Sequence, residues 1–285
     1  MSTPSKRCKT RAVNTESYFQ GKSVVITGGS SGIGLAIAKQ AAGFGAEVHL
    51  VARRRSLLDE AKASILASTP RASVSVLDLD VSRWDDVESK VGEHFASRPV
   101  DMLVNNAGIA KPGKFLELPL EEFRQQMDVN YFGAVHMCRA LIPKMIERRG
   151  GHVVNVSSLA GVIGIFGYTA YTPTKFALTG FSQVLRAEMW PHGVRVSVVL
   201  PPDTDTPQLA FENQFKPAET KAIAGTVKTL SADHVAASIL RGMAGHQFEI
   251  YCDATSRMSA LAQGVLPGVV RYFCDSAQKK VGRTA

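Results

Sequence analysis

The sequence predicts an α/β fold, a Rossmann-like doubly wound parallel sheet that is flanked by helices and forms a single domain. Short apolar, β-branched runs alternate with longer segments of helical periodicity, which is the pattern of successive strand–helix–strand units. A glycine-rich turn follows the first of these runs and leads directly into a helical segment. With 285 residues, of which 45% are hydrophobic, the chain is long enough to bury the core of one such domain.

Positive charge is concentrated at the two ends of the chain. The formal net charge is +8, of which residues 1–22 carry +4 and residues 271–285 carry +3. Because the body is nearly neutral, we expect no basic groove and no nucleic-acid partner. We divide the chain into a basic flexible tail (1–20), a dinucleotide-binding domain (21–255) and a C-terminal extension (256–285), in which an apolar segment precedes a basic tail.

The cysteine pattern indicates separate reduced thiols. Cys8, Cys138, Cys252 and Cys274 are widely spaced, without a CxxC pair or an adjacent histidine cluster, so we expect no metal site and a cytoplasmic location. The N-terminus has no apolar signal-peptide core. The apolar segment Met258–Val270 is too short to span a bilayer and contains Pro267, which leaves peripheral contact with the cytosolic face of a membrane as a possibility.

The first strand and its glycine turn predict a phosphate-binding site. Ser23–Thr27 is suited to a buried parallel strand, and a helical pattern begins at Leu35. Glycines allow the backbone to approach a phosphate closely, while the N-terminus of the following helix attracts the anion. The alternative is a structural turn that binds no ligand. The candidate cofactor contacts in this turn are Gly28, Ser30, Ser31, Gly32, Ile33 and Gly34.

The end of the second strand distinguishes the two nicotinamide cofactors. Glu47–Ala52 is followed by Arg53–Arg55, with no acidic residue. An acidic residue at this position binds the ribose of NAD, whereas an arginine accommodates the 2′-phosphate of NADP. We therefore expect NADP(H), with Arg53 as the phosphate contact. Arg54 and Arg55 are also compatible with the solvated start of a helix.

The remaining elements continue the alternation of strands and helices. Strands are predicted at 73–78, from 101, at 152–156 and at 195–200, and helices at about 56–68, 83–97 and 120–148. Ligands of such sheets bind beyond the carboxyl ends of the strands. The residues that follow the third and fourth strands are therefore further candidate cofactor contacts: Asp80, Val81, Asn106, Ala107 and Gly108.

A hydroxyl, a phenol and an amine follow the fifth strand. Tyr171 and Lys175 are four residues apart and share a face if they lie on one helix, in whose first turn Pro173 is tolerated. A nearby cation and the N–H groups of the helix N-terminus lower the pKa of a phenol, which would make Tyr171 a general acid or base. Ser158 would hydrogen-bond the substrate oxygen. An ordinary surface Tyr–Lys pair is the alternative.

Together these motifs resemble the short-chain dehydrogenase/reductase family over roughly residues 21–250. The resemblance rests on the glycine turn, Asn105–Gly108, Asn130, Ser158, Tyr171 and Lys175. It implies that Tyr171 exchanges the proton, that Ser158 orients the carbonyl, and that Lys175 binds the nicotinamide ribose and tunes the phenol. Asn130, which could instead bend or cap its helix, would hold a water that relays protons through Lys175.

The resemblance extends to the nicotinamide contacts and to the assembly. The segment after the sixth strand matches the family's nicotinamide-binding segment at Pro201, Thr204 and Thr206, although Pro202 replaces the usual glycine. Homodimers or homotetramers are common in the family, so we expect one of these assemblies.

Within the family, Gly164–Tyr171 and Pro201–Pro207 are similar to the corresponding segments of the 3-ketodihydrosphingosine reductases. This resemblance implies an enzyme that uses NADPH to reduce a lipid-like ketone, namely the ketone of a long-chain sphingoid base, in sphingolipid synthesis. A steroid, retinoid or fatty-acyl ketone is the alternative substrate, and an NADPH-binding sensor without turnover is the alternative function. Residues 205–230 would cover the acyl chain, and the candidate wall residues are Ile163, Phe166, Phe211 and Phe215.

Overall fold

A seven-stranded parallel sheet lies at the centre of the computed structural model, which describes residues 14–224 and 228–281. The strand order is β3-β2-β1-β4-β5-β6-β9, and β7 and β8 form a separate parallel pair. The strands are β1 (Ser23–Thr27), β2 (Glu47–Ala52), β3 (Val74–Asp78), β4 (Met102–Asn105), β5 (Gly151–Val156), β6 (Val194–Val199), β7 (Thr204–Asp205), β8 (Leu230–Ser231) and β9 (Glu249–Ile250).

Helices connect these strands and cover both faces of the sheet. They are α1 (Thr15–Phe19), α2 (Gly32–Gly43), α3 (Arg55–Ser68), α4 (Trp84–His94), α5 (Leu120–Met127), α6 (Gly133–Glu147), α7 (Thr172–Met189), α8 (Pro207–Phe215), α9 (Ala218–Ala224), α10 (Ala232–Ala244), α11 (Ala254–Val265) and α12 (Pro267–Val281).

The strand order confirms the predicted fold class. From β1 the chain moves outward through β2 to β3, then returns to the other side of β1 with β4 and continues to β6. The reversal opens a crevice at the carboxyl ends of β1 and β4, where ligands of such sheets bind. The six principal strands begin within one residue of their predicted positions, because their continuous apolar runs are typical of strands buried on both faces.

Two apolar layers hold the helices against the sheet. On one face, Ile37 of α2, Leu58 of α3 and Ile239 of α10 belong to a single buried cluster. On the other face, Met137 of α6 and Leu185 of α7 belong to a second cluster, together with residues of α4. The carboxyl ends of the central strands stay open between these layers, and this is where the candidate site lies.

The region predicted as a helix over 120–148 contains a wider turn at its centre. Residues Asp128–Phe132 form a π-helical turn between α5 and α6. Such a turn takes in one extra residue and occurs frequently at functional sites. It contains the buried Asn130, whose side chain bonds the backbone of Ile109 instead of facing solvent.

The packed part of the chain begins before residue 21, the predicted start of the dinucleotide-binding domain. Asn14 caps α1 by accepting a hydrogen bond from the backbone N–H of Glu16, and the Phe19 side chain is wholly buried. The Tyr18 hydroxyl lies 3.0 Å from Nδ1 of His152 in the sheet. The burial of Phe19 and the contact of Tyr18 with His152 fix residues 15–19 on the domain. Residues 1–13 of the predicted tail lie outside the described residues.

The predicted C-terminal extension is helical. It consists of most of α11 and all of α12, and α12 packs against α9. Within residues 14–224 and 228–281, no helix has the length and apolar character needed to cross a membrane. Residues 282–285, the end of the predicted basic tail, lie outside the described part of the chain.

Candidate active site

A cavity of about 730 Å³ lies at the carboxyl ends of the central strands. Its walls come from the loops that follow β1, β2, β3, β4, β5 and β6, together with α8 and α9. Of the predicted cofactor contacts, all but Gly34 line it: Gly28, Ser30, Ser31, Gly32, Ile33, Arg53, Asp80, Val81, Asn106, Ala107, Gly108, Tyr171, Lys175, Pro201, Thr204 and Thr206.

The glycine turn forms one end of the cavity. Gly28 and Gly32 have φ values of +66° and +54°, which side chains rarely adopt. A Cβ at Gly34 would lie 2.3 Å from the carbonyl oxygen of Gly28, so Gly34 allows α2 to pack against the turn but does not face the cavity. The first turn of α2 has backbone N–H groups without intrahelical partners, and its Gly32 and Ile33 line the cavity.

Two polar side chains connect the ends of β1 and β4. The Thr27 hydroxyl oxygen accepts hydrogen bonds from the backbone N–H groups of Asn106 and Ala107, both at 3.0 Å. The Asn106 amide donates in return to the carbonyl oxygens of Thr27 and Gly28. This exchange fixes the glycine turn relative to the fourth-strand loop. Thr27 is not among the predicted site residues, since its role appears only when the ends of β1 and β4 are seen side by side.

Arg53 and Arg54 follow β2 and line the cavity, whereas Arg55 does not. Arg55 forms an exposed ion pair with Asp59, one turn further along α3. The three consecutive arginines therefore have different surroundings. Asp80, after β3, accepts hydrogen bonds from the backbone N–H and the hydroxyl of Ser82, so part of its carboxylate is used within its own turn.

Ser158, Tyr171 and Lys175 line the same part of the cavity. Tyr171 caps the N-terminus of α7, and Lys175 lies one turn later with only 4% of its surface exposed. The Lys175 ammonium donates to the carbonyl oxygen of Val156 at 3.0 Å and lies 5.6 Å from the Tyr171 ring centroid. The Ser157 hydroxyl donates to the Lys175 carbonyl oxygen. These bonds hold α7 against the end of β5.

Asn130 lies behind the cavity wall. Its side-chain oxygen accepts from the N–H of Ile109 at 2.8 Å, and its amide donates to the Ile109 carbonyl and to the Thr174 hydroxyl. A Cβ at Gly108 would lie 3.3 Å from the Asn130 oxygen and 3.5 Å from the Lys175 nitrogen. Asn130 therefore lies across a glycine from Lys175 and connects the β4 loop to the first turn of α7.

The expectation that the Tyr171 phenol has a lowered pKa is wrong. Burial raises the pKa of the Tyr171 phenol well above 10, and the charge of Glu212 raises it further, against a smaller lowering by Ser158. Burial also lowers the pKa of the Lys175 amine, to about 8, so the cation beside the phenol is itself weakened. Desolvation is the largest influence on the pKa of both groups.

A group of polar side chains, among them the buried Tyr168, Glu212 and Lys216, lies near the catalytic candidates. The Tyr168 hydroxyl donates to one oxygen of Glu212 at 2.7 Å, and the Gln208 amide donates to the other at 3.0 Å. The Lys216 ammonium pairs with Asp203 at 3.0 Å. All five side chains belong to cavity-lining residues. No motif marks Glu212 in the sequence, and only its position on α8 brings it into the cavity.

The apolar wall differs from the predicted one. Phe211 lines the cavity, but Ile163, Phe166 and Phe215 do not, and Ile165, Leu209 and Ile223 are present instead. Phe215 is 41% exposed and packs against Phe211 with ring centroids 5.0 Å apart. Consecutive positions of a loop or helix point in different directions, so the choice between neighbours could not be made from the sequence.

Comparison with known proteins places this architecture in a family. The family model described as short chain dehydrogenase matches residues 22–217, which include the glycine turn, Ser158, Tyr171 and Lys175. The chain belongs to the short-chain dehydrogenase family. As a member of this family it is an oxidoreductase that uses NAD or NADP, which confirms the predicted class of enzyme.

Several curated relatives of the chain are named for the reduction of one long-chain ketone. A 3-dehydrosphinganine reductase of Danio rerio is 42% identical over 254 residues, which cover 87% of this chain and 76% of that protein. A 3-ketodihydrosphingosine reductase of Dictyostelium discoideum is 35% identical over 273 residues, which cover 90% of this chain and 82% of that protein.

Solved structures of other short-chain dehydrogenases share the fold. Levodione reductase superimposes with a TM-score of 0.76 and 27% identity, over 84% of this chain and 99% of that chain. L-Sorbose reductase from Gluconobacter frateurii, complexed with NADPH and L-sorbose, superimposes with a TM-score of 0.72 and 29% identity, over 81% and 95% of the two chains.

The buried amine predicts a pH-dependent stability. Since burial lowers the pKa of Lys175 from 10.5 to about 8, the destabilisation by its charge is complete below pH 8 and disappears as the pH rises towards 10.5. One pKa unit corresponds to about 1.4 kcal/mol, so the free energy of unfolding should rise by about 2–3 kcal/mol between pH 7 and pH 10 relative to that of Lys175→Met. Urea unfolding of both proteins at both pH values measures this difference. A difference that is constant with pH would contradict it.

Proposed function

We propose that this chain uses NADPH to reduce 3-dehydrosphinganine, a long-chain amino ketone, to the corresponding secondary alcohol. The observation that carries the proposal is one cavity that is lined both by Ser158, Tyr171 and Lys175 and by apolar side chains of α8 and α9. The names of the relatives from Danio rerio and Dictyostelium discoideum indicate the same substrate. A polar reacting end and an apolar wall suit a ketone with a long hydrocarbon chain.

The residues at the glycine turn fit a dinucleotide phosphate. The positive φ of Gly28 and Gly32 and the first turn of α2 provide a backbone cradle, in which a Cβ at either glycine would crowd Asn106 or Thr206 of the cavity wall. Arg53 and Arg54 at the end of β2 provide guanidinium groups for a 2′-phosphate, and no acidic residue follows this strand. This donor set supports the choice of NADPH over NADH.

In the proposed reaction, the chain orients the ketone and provides the proton. Bound NADPH supplies the hydride that reduces the ketone carbon. The Ser158 hydroxyl donates a hydrogen bond to the ketone oxygen, and the Tyr171 hydroxyl transfers its proton to that oxygen as negative charge develops. The raised pKa keeps the phenol of Tyr171 protonated before the reaction, which is the state that a general acid requires.

Lys175 and Asn130 support this proton transfer. The Lys175 ammonium lies beside the Tyr171 ring, where its charge would stabilise the phenolate left after the transfer. Asn130 holds the Ile109 loop and Thr174 in place, and we propose that a water beside it returns a proton to Tyr171 through Lys175. The π-helical turn places Asn130 there, across Gly108 from the amine.

A substrate panel tests the proposed function. We expect purified protein with NADPH to consume cofactor with 3-dehydrosphinganine faster than with a steroid, a retinoid or a fatty-acyl ketone, because the cavity combines an apolar wall with buried polar groups. Initial rates of NADPH oxidation, with product identified by mass spectrometry, measure the preference. Faster turnover of one of the other ketones would assign that substrate class. NADPH binding without turnover of any ketone would favour a sensor.

The cofactor preference depends on Arg53. Hydrogen bonds to charged groups contribute about 1.5–3 kcal/mol, so Arg53→Asp should reduce the ratio of kcat/KM for NADPH to that for NADH by roughly 10- to 100-fold or more. Arg55→Asp is the matched control, since Arg55 is exposed and pairs with Asp59 outside the cavity. Initial rates with both cofactors measure the ratios. An equal change in the two variants would contradict the assignment to Arg53.

We further propose that α11 and α12 contact an anionic membrane surface. Val265, Tyr272 and Phe273 of these helices, and Leu266 between them, are each more than half exposed. The exposed Arg257 and Arg271 of the same helices would face anionic headgroups. Because α12 packs on α9, whose Thr220 and Ile223 line the cavity, this apolar surface lies close to the substrate wall.

Sedimentation with lipid vesicles tests this contact. We expect the protein to sediment with vesicles that contain phosphatidylserine, and replacing both Tyr272 and Phe273 by alanine should weaken binding about tenfold or more, since burying one such ring contributes about 1.5–3 kcal/mol. The double variant Phe115→Ala, Leu116→Ala is the control, because those side chains are also exposed but lie outside α11 and α12. Equal sedimentation of the two double variants would contradict the proposal.

A further inference from the structure

The Glu212 carboxylate occupies an unusual position for an acidic side chain. Glu212 is only 7% exposed, yet it lines the cavity that contains Tyr171 and Ser158. Burying a carboxylate is unfavourable unless hydrogen bonds or a cation compensate for the lost solvation. An apolar side chain could occupy this position of α8, as Leu209 and Phe211 of the same helix do. An acidic side chain at position 212 therefore requires an explanation in terms of what occupies the cavity.

Neighbouring side chains hold Glu212 in place through neutral donors, while burial raises the pKa of its carboxyl group. Its two oxygens accept one hydrogen bond each, from the Tyr168 hydroxyl at 2.7 Å and from the Gln208 amide at 3.0 Å. Both donors are neutral, and a carboxylate can accept further hydrogen bonds. Lys216, a buried cation in the same wall, is paired at 3.0 Å with Asp203 instead. The Glu212 carboxyl group is thus held in one orientation. None of these neighbours is a cation bonded directly to it.

Glu212 lies close to the catalytic candidates. Tyr168, which binds Glu212, packs against Tyr171 with ring centroids 5.6 Å apart. The charge of Glu212 is also close enough to raise the pKa of the Tyr171 phenol. A substrate whose ketone oxygen meets Tyr171 would therefore place the atoms on one side of its carbonyl near Tyr168 and Glu212.

We propose that Glu212 binds the ammonium group of an α-amino ketone and so selects substrates that carry an amine beside the carbonyl. The inference rests on the proposed function, since 3-dehydrosphinganine carries an amine on the carbon next to its ketone. An amine next to a carbonyl has a pKa of roughly 8, so most of it is protonated at neutral pH. The ammonium would donate further hydrogen bonds to the Glu212 carboxylate, while the long chain would lie along Leu209, Phe211 and Ile223.

The alternative to amine recognition is that Glu212 positions the catalytic residues. Through Tyr168 it could fix the Tyr171 ring, or its charge could hold the Lys175 amine protonated, since it raises the pKa of that amine. Either role would affect the reduction of every ketone alike. Recognition of the amine affects amino ketones alone, so two substrates that differ only in the amine distinguish the roles.

The test compares 3-dehydrosphinganine with the same ketone lacking its amine, for the unaltered protein and for Glu212→Gln. Glutamine keeps the size of the side chain and can accept from Tyr168. Truncating a buried charge pair costs about 2–5 kcal/mol, so kcat/KM for the amino ketone should fall about 100-fold. The value of kcat/KM for the ketone without the amine should change less than about threefold, because no charge pair is lost with that substrate. Asp205→Asn, an exposed acid outside the cavity, is the matched control and should change neither value.

Two further measurements keep the result unambiguous. Glu212→Asp retains the charge and should keep part of the preference for the amino ketone, and NADPH binding by fluorescence should be unchanged in both Glu212 variants. An equal loss of kcat/KM with both ketones, or a preference that survives in Glu212→Gln, would overturn the inference. If the unaltered protein reduces neither ketone, the proposed function fails, and this outcome is visible before any variant is made.

Discussion

The hydrogen bond between the Lys175 ammonium and the Val156 carbonyl is the contact on which the rest of the site depends. It connects α7 to the last residue of β5, and the Ser157 hydroxyl adds a second connection through the Lys175 carbonyl. Ser158 follows directly in the chain, and Tyr171 lies one helical turn before Lys175 on the same face. One contact between a strand end and a helix thus sets the relative positions of the hydroxyl, the phenol and the amine.

The fold and the location of the site could be predicted from the sequence for a physical reason. Parallel strands buried on both faces require continuous apolar runs, such as Ser23–Thr27 and Gly151–Val156, and these runs are visible without a structure. All parallel strands end at the same edge, so the polar residues that follow β1, β4 and β5 had to meet there. The family model that matches residues 22–217 leads to the same architecture.

Features that depend on packing between distant segments could not be predicted. The buried position of Glu212 requires α8 to fold back over the strand ends, and its contact with Tyr168 joins residues 44 positions apart. The pKa of Tyr171 depends on how much water the surrounding loops exclude, which the spacing to Lys175 does not reveal. The π-helical turn at Asp128–Phe132 likewise differs from an ordinary helix by one residue, and periodicity over 120–148 does not detect that difference.

The central claim is that the buried phenol of Tyr171 provides the proton to a ketone held by Ser158. Tyr171→Phe removes only the hydroxyl, so single-turnover reduction of 3-dehydrosphinganine, measured beside NADPH affinity, tests the claim most directly. General acid catalysis contributes roughly 10²- to 10⁴-fold, so the account predicts a loss of that size in the rate of reduction with NADPH affinity nearly unchanged. A rate of reduction within about threefold of that of the unaltered protein would contradict the account, because a general acid that can be removed at so little cost supplies none of that acceleration.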